Sequence, residues 1–293
     1  MMNPSEYQLL LEILSIETCS KEEDAMIEYL LKFFEKHGIC AWRDEIGNVY
    51  AEKGEVGAYQ KYPLVVAHMD TVHRIHGNGI IPKKLLLPNY AGVLKPALKG
   101  FDKNDNPVGL GADCKVGVAI CLILFLRQPT LKGFFPVQEE IGARGAEKVD
   151  ISFLQHVGYA IEFDSPSNTS SITLGGKLMY NPEDENGLGK IWTGLLLEFS
   201  EKRETEFTLE QHSYTDIVKL RPHFSCCNVP VGYYLYHSTS EYVVEEEAYM
   251  ALDLGEELIK RAGYRYYDDA PHPSARRLIT QFAIYTMEIS VER

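Results

Sequence analysis

Two histidines and a set of carboxylates stand at intervals that could assemble a metal centre: His68-Met69-Asp70, Asp113, Glu139-Glu140, Asp164 and His237. Imidazole nitrogens and carboxylate oxygens without a thiolate suit borderline divalent ions such as zinc, manganese or cobalt. Two ions roughly 3.5–4 Å apart need a shared carboxylate and can activate a water between them for hydrolysis. Asp113 is the candidate bridge, because it closes the glycine-containing loop Gly109-Leu110-Gly111-Ala112-Asp113 just before a helix. Each segment alone has a plainer reading, as a strand-end polar pair, an exposed glutamate pair, a turn residue or a surface histidine. Their joint order and placement point to metal chemistry.

The elements that must position these groups alternate in type. Asn3, Pro4 and Glu6 open a helix as a capping box, and Leu9, Leu10, Ile13 and Leu14 form its apolar stripe. A second helix is expected from Ser20, with Glu23 three residues on, packing through Met26, Leu30, Phe33 and Phe34 and stopping at Gly38. Short apolar runs predict strands at Ile39–Trp42, Asn48–Ala51, Pro63–Ala67, Phe134–Gln138, Val157–Phe163 and Cys227–Tyr236. The runs from Pro63 onward lead into His68, Glu139-Glu140, Asp164 and His237 respectively. Helices are expected at Val116–Leu126, Glu241–Arg261 (with a Gly263 stop) and Ala275–Met287. Strands alternating with helices imply an α/β fold, a mainly parallel mixed sheet with helices on both faces. In such sheets ligands bind beyond the carboxyl ends of the strands, where the candidate residues fall. Residues 72–111 and 165–190 show little periodicity and read as long loops.

With 293 residues and 45% hydrophobic content, the chain can bury a sizeable core. A net charge of −13 argues against nucleic acid and anionic membranes as partners. No basic segment followed by an apolar run opens the chain, and no stretch reaches the ~18 apolar residues of a membrane span, so a cytoplasmic location is expected. The six scattered cysteines fit free thiols, with Cys226 and Cys227 buried in a strand.

The segments Val66-Ala67-His68-Met69-Asp70-Thr71-Val72, Gly111-Ala112-Asp113-Cys114-Lys115-Val116-Gly117, Val137-Gln138-Glu139-Glu140-Ile141-Gly142, Asp164 and His237-Ser238 with Glu241 resemble the co-catalytic zinc exopeptidase superfamily. That superfamily includes peptidase T-like tripeptidases, glutamyl-aminopeptidase-like enzymes and single-domain bacterial leucyl aminopeptidases. The resemblance implies an aminopeptidase of short peptides with two divalent ions, most simply zinc. It implies His68 and Asp164 on one ion, Glu140 and His237 on the other, and Asp113 bridging both. Asp70 would orient the His68 ring, Glu139 would be the general base, and the Asp113–Cys114 peptide would be unusual, even cis.

This chain departs from the family in two respects. Cys114 stands where many relatives carry a second aspartate. Only 43 positions separate Asp70 from Asp113 and 73 separate Asp164 from His237, too few for the inserted dimerisation domain of the larger relatives. A single catalytic domain over residues 1–293 is therefore expected, and a monomer is plausible. The carbonyl-stabilising group would then come from His212, Tyr214 or Tyr236. His73 and His76 read as substrate-side or incidental rather than as ligands, and Asp102–Asn106, followed by Pro107, as a turn rather than a calcium loop. A carboxypeptidase or N-acyl amino acid deacylase would need a cation for the substrate carboxylate, for which Arg144 and Lys115 are the candidates. Glu241 is a place to look for recognition of the substrate ammonium, or a helix cap. A non-catalytic metal-binding homologue is the alternative from another class.

Overall fold

The structure, a computed structural model, describes residues 2–166, 171–173, 187–203, 208–210 and 214–267. Helix α1 (Pro4–Leu14) begins as its sequence dictates. The Asn3 side chain accepts the amides of Ser5 and Glu6, and Glu6 reaches back to the Asn3 amide at 2.7 Å. Helix α2 (Asp24–Lys36) starts four residues later than expected. Ser20 and Glu23 are not a capping box, because both side chains are drawn away to the loops that carry Asp70 and Glu139. The stripe of Met26, Leu30, Phe33 and Phe34 is buried as read, and the chain leaves the helix through Gly38 at a φ of +66°.

The first strands are β1 (Cys40–Arg43), β2 (Val49–Lys53) and β3 (Tyr62–Val66). The stretch expected to be a loop then folds as a hairpin of β4 (Ile81–Pro88) and β5 (Leu94–Phe101). Its period is hidden because no β4 residue is buried, so lysine, proline and leucine share that strand without alternation. Helix α3 (Ala112–Arg127) follows, then β6 (Leu131–Phe135), the short helix α4 (Ile151–Leu154) and β7 (Val157–Ser165), which runs past Asp164. Next come β8 (Ser171–Thr173), α5 (Leu188–Arg203), β9 (Thr208–Glu210) and the single turn α6 (Ile217–Leu220). The run expected as one strand over Cys227–Tyr236 splits at Pro230 and Gly232 into β10 (Ser225–Pro230) and β11 (Tyr233–Tyr234), which belong to different sheets. Strand β12 (Tyr242–Val244) occupies residues expected to open the last helix, α7 (Glu245–Ala262). The expected helix Ala275–Met287 lies outside the described residues.

Among the described residues, eight strands form one mixed sheet in the order β1-β2-β6-β3-β7-β10-β8-β9. Its centre, β6-β3-β7-β10, is parallel, while β1, β2 and β8 join antiparallel. Because successive side chains point to opposite faces, the sheet builds two cores. Val65, Phe135, Ile161 and Phe163 meet α1, α2, α3, α5 and α7 on one face. Leu64, Val66, Phe134 and Ala160 meet Phe153 of α4 and Ile217 and Leu220 of α6 on the other. Helices therefore cover both faces, as expected. The second sheet, β11-β12-β5-β4, is antiparallel; its β4 and β5 lie between Asp70 and Asp113 in the chain, and its β11 and β12 flank His237.

Candidate metal centre

The segment after β3 continues the ladder beside β6, with the Ala67 and Met69 amides donating to the Phe134 and Pro136 carbonyls. Thr18 and Thr71 lock it from the other side through hydroxyl bonds to Met69 and Thr18 carbonyls at 3.0 and 2.7 Å. This buries His68 and Asp70 to 1% and 0% exposure. The His68 Nδ1 lies 3.0 Å from the Asp70 backbone carbonyl and 3.4 Å from its carboxylate. A proton on Nδ1 satisfies both neighbours and leaves the Nε2 lone pair free for a cation. The Asp70 carboxylate does more than orient the ring. It accepts the Glu139 amide at 2.9 Å, the Glu140 amide at 3.3 Å and the Ser20 hydroxyl at 2.6 Å, tying the His68–Asp70 segment to the Glu139–Glu140 loop.

Asp113 sits in the first turn of α3, but its backbone is not helical, and its peptide bond to Cys114 is cis, as the resemblance implied. One carboxylate oxygen, Oδ1, lies 3.2 Å from His68 Nε2, and the other, Oδ2, lies 3.3 Å from His237 Nε2. Asp164 Oδ1 is 3.4 Å from His68 Nε2, whereas Glu140 Oε2 is 3.0 Å from His237 Nε2. Glu139 Oε2 stands 3.9 Å from His68. Each oxygen of Asp113 thus faces a different imidazole, and each imidazole has its own second carboxylate. Asp164 is held by Asn228, whose side chain accepts its amide and donates to its carbonyl, both at 2.8 Å. Glu139 and Glu140 follow Gln138, which takes a φ of +58° with its amide on Glu23. His237 is not at a strand end. It lies in the turn after β11, with φ +61° and its ring against Tyr236.

Concentrating carboxylates in a buried site distorts their titration. Burial pushes Glu139 and Glu140 up to about 8, opposed by His68 and reinforced by Asp113 and other carboxylates. Burial and Asp113 likewise raise Asp164 to about 6 against the pull of His68. Burial also opposes ionisation of Asp113, but bonds from His237 and His68 hold it well below the usual carboxylate range. The bond to Asp113 leads in lifting His237 to about 9. Glu140 Oε1 and Asp164 Oδ1 are buried without a hydrogen-bond partner. Excess negative charge and orphaned oxygens are what a bound cation would relieve. The donors therefore fit a metal site, and His68, Asp113 and Glu140 offer ligand atoms within 4.8 Å of one another.

Several contributors had another reading in the sequence, or none. Ser20, Glu23 and Asn228 act through loops far away in the chain. Glu241 does not cap α7. Fully buried, it accepts the Gly111 and Asp113 amides at 2.5 and 3.2 Å and meets His73 Nε2 at 3.1 Å. Glu162 and Asp216 are buried acids behind the centre, both held well above the usual carboxylate range by burial and by neighbouring carboxylates. Their one legible signal was a glutamate two residues before Asp164 in an apolar strand.

The remaining candidates divide. The Tyr214 hydroxyl donates to the Gly142 carbonyl at 3.3 Å, beside the Glu139–Glu140 loop. His76 faces Glu17. Lys115 is buried and commits its ammonium to the Leu14 and Ile16 carbonyls. Arg144 is exposed and bonds the Ile141 carbonyl. Asp102 closes a turn by accepting the Asn104 and Asn106 amides, as read. His212 lies outside the described residues.

Solved structures share this architecture. Aminopeptidase PepT from Bacillus cereus matches 88% of this chain and 98% of its own at 16% identity, with a TM-score of 0.67. A tripeptidase from Staphylococcus aureus matches 89% and 99% at 14% identity and the same score, 0.67. The TET1 peptidase of Pyrococcus horikoshii, which can assemble into a tetrahedron or a large octahedral shell, matches 86% and 98% at 17% identity with a TM-score of 0.56. No protein-family model matches the chain, and no curated protein does. At these identities the likeness is one of fold, and the fold implied by the resemblance is the fold observed.

Proposed function

We propose that this chain is a two-metal aminopeptidase that removes N-terminal residues from short peptides, with residues 1–293 acting as one catalytic domain. The observation that carries this reading is the split of Asp113, one oxygen toward His68 and the other toward His237. His68 and Asp164 would hold one ion, Glu140 and His237 the other, and Asp113 both. When bound, the pair of ions would acidify a water between them and polarise the scissile carbonyl. Zinc is the ion proposed, with manganese and cobalt sharing these donors.

Glu139 is the general base in this reading. It takes the proton of the attacking water and delivers it to the departing amine. Its carboxyl is pulled up by burial and by neighbouring carboxylates, so cations that neutralise those neighbours also return Glu139 to its ionised form. Asp70 holds the Glu139 and Glu140 amides and so fixes the base relative to the ligands. Tyr214 is the candidate to stabilise the developing oxyanion from the rim.

Lys115 is committed to the end of α1, which removes one of the two cations that a carboxypeptidase or deacylase could use. All six cysteines are free, which supports a reducing, cytoplasmic setting. Among the described residues no helix is long and apolar enough to cross a membrane. The relatives that form shells make the oligomeric state a measurement to take alongside activity.

The test is product analysis by mass spectrometry on matched short peptides with free or acetylated N-termini and free or amidated C-termini. Protein is loaded with zinc, manganese or cobalt, and Glu139→Gln is run in parallel. N-terminal trimming blocked by acetylation and by the variant is the expected result. C-terminal trimming or deacetylation would transfer the assignment to the other exohydrolases. Binding of two ions with no turnover would make the chain a metal-binding homologue.

A further inference from the structure

We propose that the Cys114 thiol is an additional protein donor to the first ion, beside His68, Asp164 and Asp113. The inference rests on the two-metal reading and deepens it. A ring nitrogen of His68, the sulfur of Cys114 and a carboxylate oxygen of Asp164 lie within 4.8 Å of one another, three donors from three elements around one point. Cys114 is fully buried and His68 is 1% exposed. The Asp164 side chain is 8% exposed, and its Oδ1 is buried without a hydrogen-bond partner. An unsatisfied carboxylate oxygen in this position points to a cation.

The packing holds the sulfur at this point. Cys114 Sγ lies 2.8 Å from the Phe163 carbonyl, to which the thiol donates. Gly117, one turn along α3, lies against the same place, where a Cβ would come within 2.1 Å of the Phe163 carbonyl oxygen and 2.6 Å of the sulfur. Helix α3 can approach β7 this closely only with glycine there.

The consequence is an asymmetric pair. The first ion would take nitrogen, sulfur and two oxygen donors from the protein, with the water between the ions completing its set. The second takes Glu140, His237 and the far oxygen of Asp113, with His237 43% exposed and a position left toward solvent. Binding breaks the Cys114 S–H bond. The sulfur electron pair forms the metal–sulfur bond, the proton leaves to solvent, and nothing is oxidised or reduced. A soft donor at one ion makes that site favour zinc over manganese.

X-ray absorption on the wild-type protein loaded with two zinc ions tests this without relying on a variant. One sulfur scatterer for every two zincs, at about 2.3 Å, is expected. Cobalt-loaded protein should show a thiolate-to-cobalt charge-transfer band that Cys114→Ser lacks while still binding two ions. The same variant should release one proton fewer on zinc binding and lose on the order of tenfold in its preference for zinc over manganese. Two bound zincs with only nitrogen and oxygen scatterers, and no such cobalt band, would overturn the Cys114 inference and leave the two-metal reading intact. Failure to bind two ions would overturn both.

Discussion

Replacing Glu241 by alanine should loosen the metal centre without touching a ligand. Glu241 is fully buried and takes the amides of Gly111 and Asp113, so it sets the backbone from which the Asp113 carboxylate projects. Removing it leaves two buried N–H groups without acceptors, at about 1–2 kcal/mol each, and a small void costing about 1 kcal/mol more. The sum is a destabilisation of about 3–5 kcal/mol. Glu241→Gln keeps one acceptor oxygen but turns an NH2 toward donors, so it should cost roughly half as much. Because Asp113 must face His68 at 3.2 Å and His237 at 3.3 Å together, metal affinity should also fall by about 10- to 100-fold. Urea unfolding of the metal-free variants gives the first quantity and calorimetric zinc titration the second. If Glu241→Ala unfolds within about 0.5 kcal/mol of wild type and binds zinc equally well, the buried carboxylate does not position Asp113 and the reasoning fails.

Glu139→Gln should keep both ions, seen by elemental analysis, and lose about 10²- to 10⁴-fold in kcat with little change in KM. Loading metal at pH 7 should release protons, because Glu139 and Glu140, raised to about 8, retain them in the metal-free protein. Affinity should therefore climb as pH rises toward 8, and calorimetry in buffers of different ionisation enthalpy counts the protons. The same raised carboxyls make metal-free stability fall with pH. Their contribution is complete below the ordinary glutamate value of 4.5 and is lost as pH rises through about 8. His237, raised to about 9, acts in the same direction above 6.5. Thermal melts of stripped protein from pH 5 to 9 should show this decline, and metal-loaded protein should not. Asp70→Asn should weaken zinc binding about 10- to 100-fold, because the amide offers one acceptor oxygen where two backbone amides and a serine hydroxyl need the carboxylate.

Chemical type and local pattern were legible in the sequence alone. The capping box at Asn3 and the stripe along α2 depend only on neighbours within a turn or two, so they read directly. His68, Glu139, Glu140, Asp164 and His237 stood out as candidates because imidazoles and carboxylates are scarce at the ends of apolar runs, and Asp113 because it closes a glycine-containing loop before a helix. The hairpin β4–β5 was not legible, since an exposed strand carries no burial period. Pro230 and Gly232 marked a break whose significance, a change of sheet, depends on which strands pair. Ser20 and Glu23 had the spacing of a helix start, yet their partners at Asp70 and Gln138 outcompeted that local option. Glu241 read as a recognition or capping acid, and Glu162 and Asp216 carried no role, until the chain closed over all three. The sequence by itself determined the donor chemistry, because side-chain type decides which ions can bind. Only tertiary structure decided that Asp113 turns its two oxygens to two histidines 169 positions apart, because that split is set by where β3 and β11 end in space.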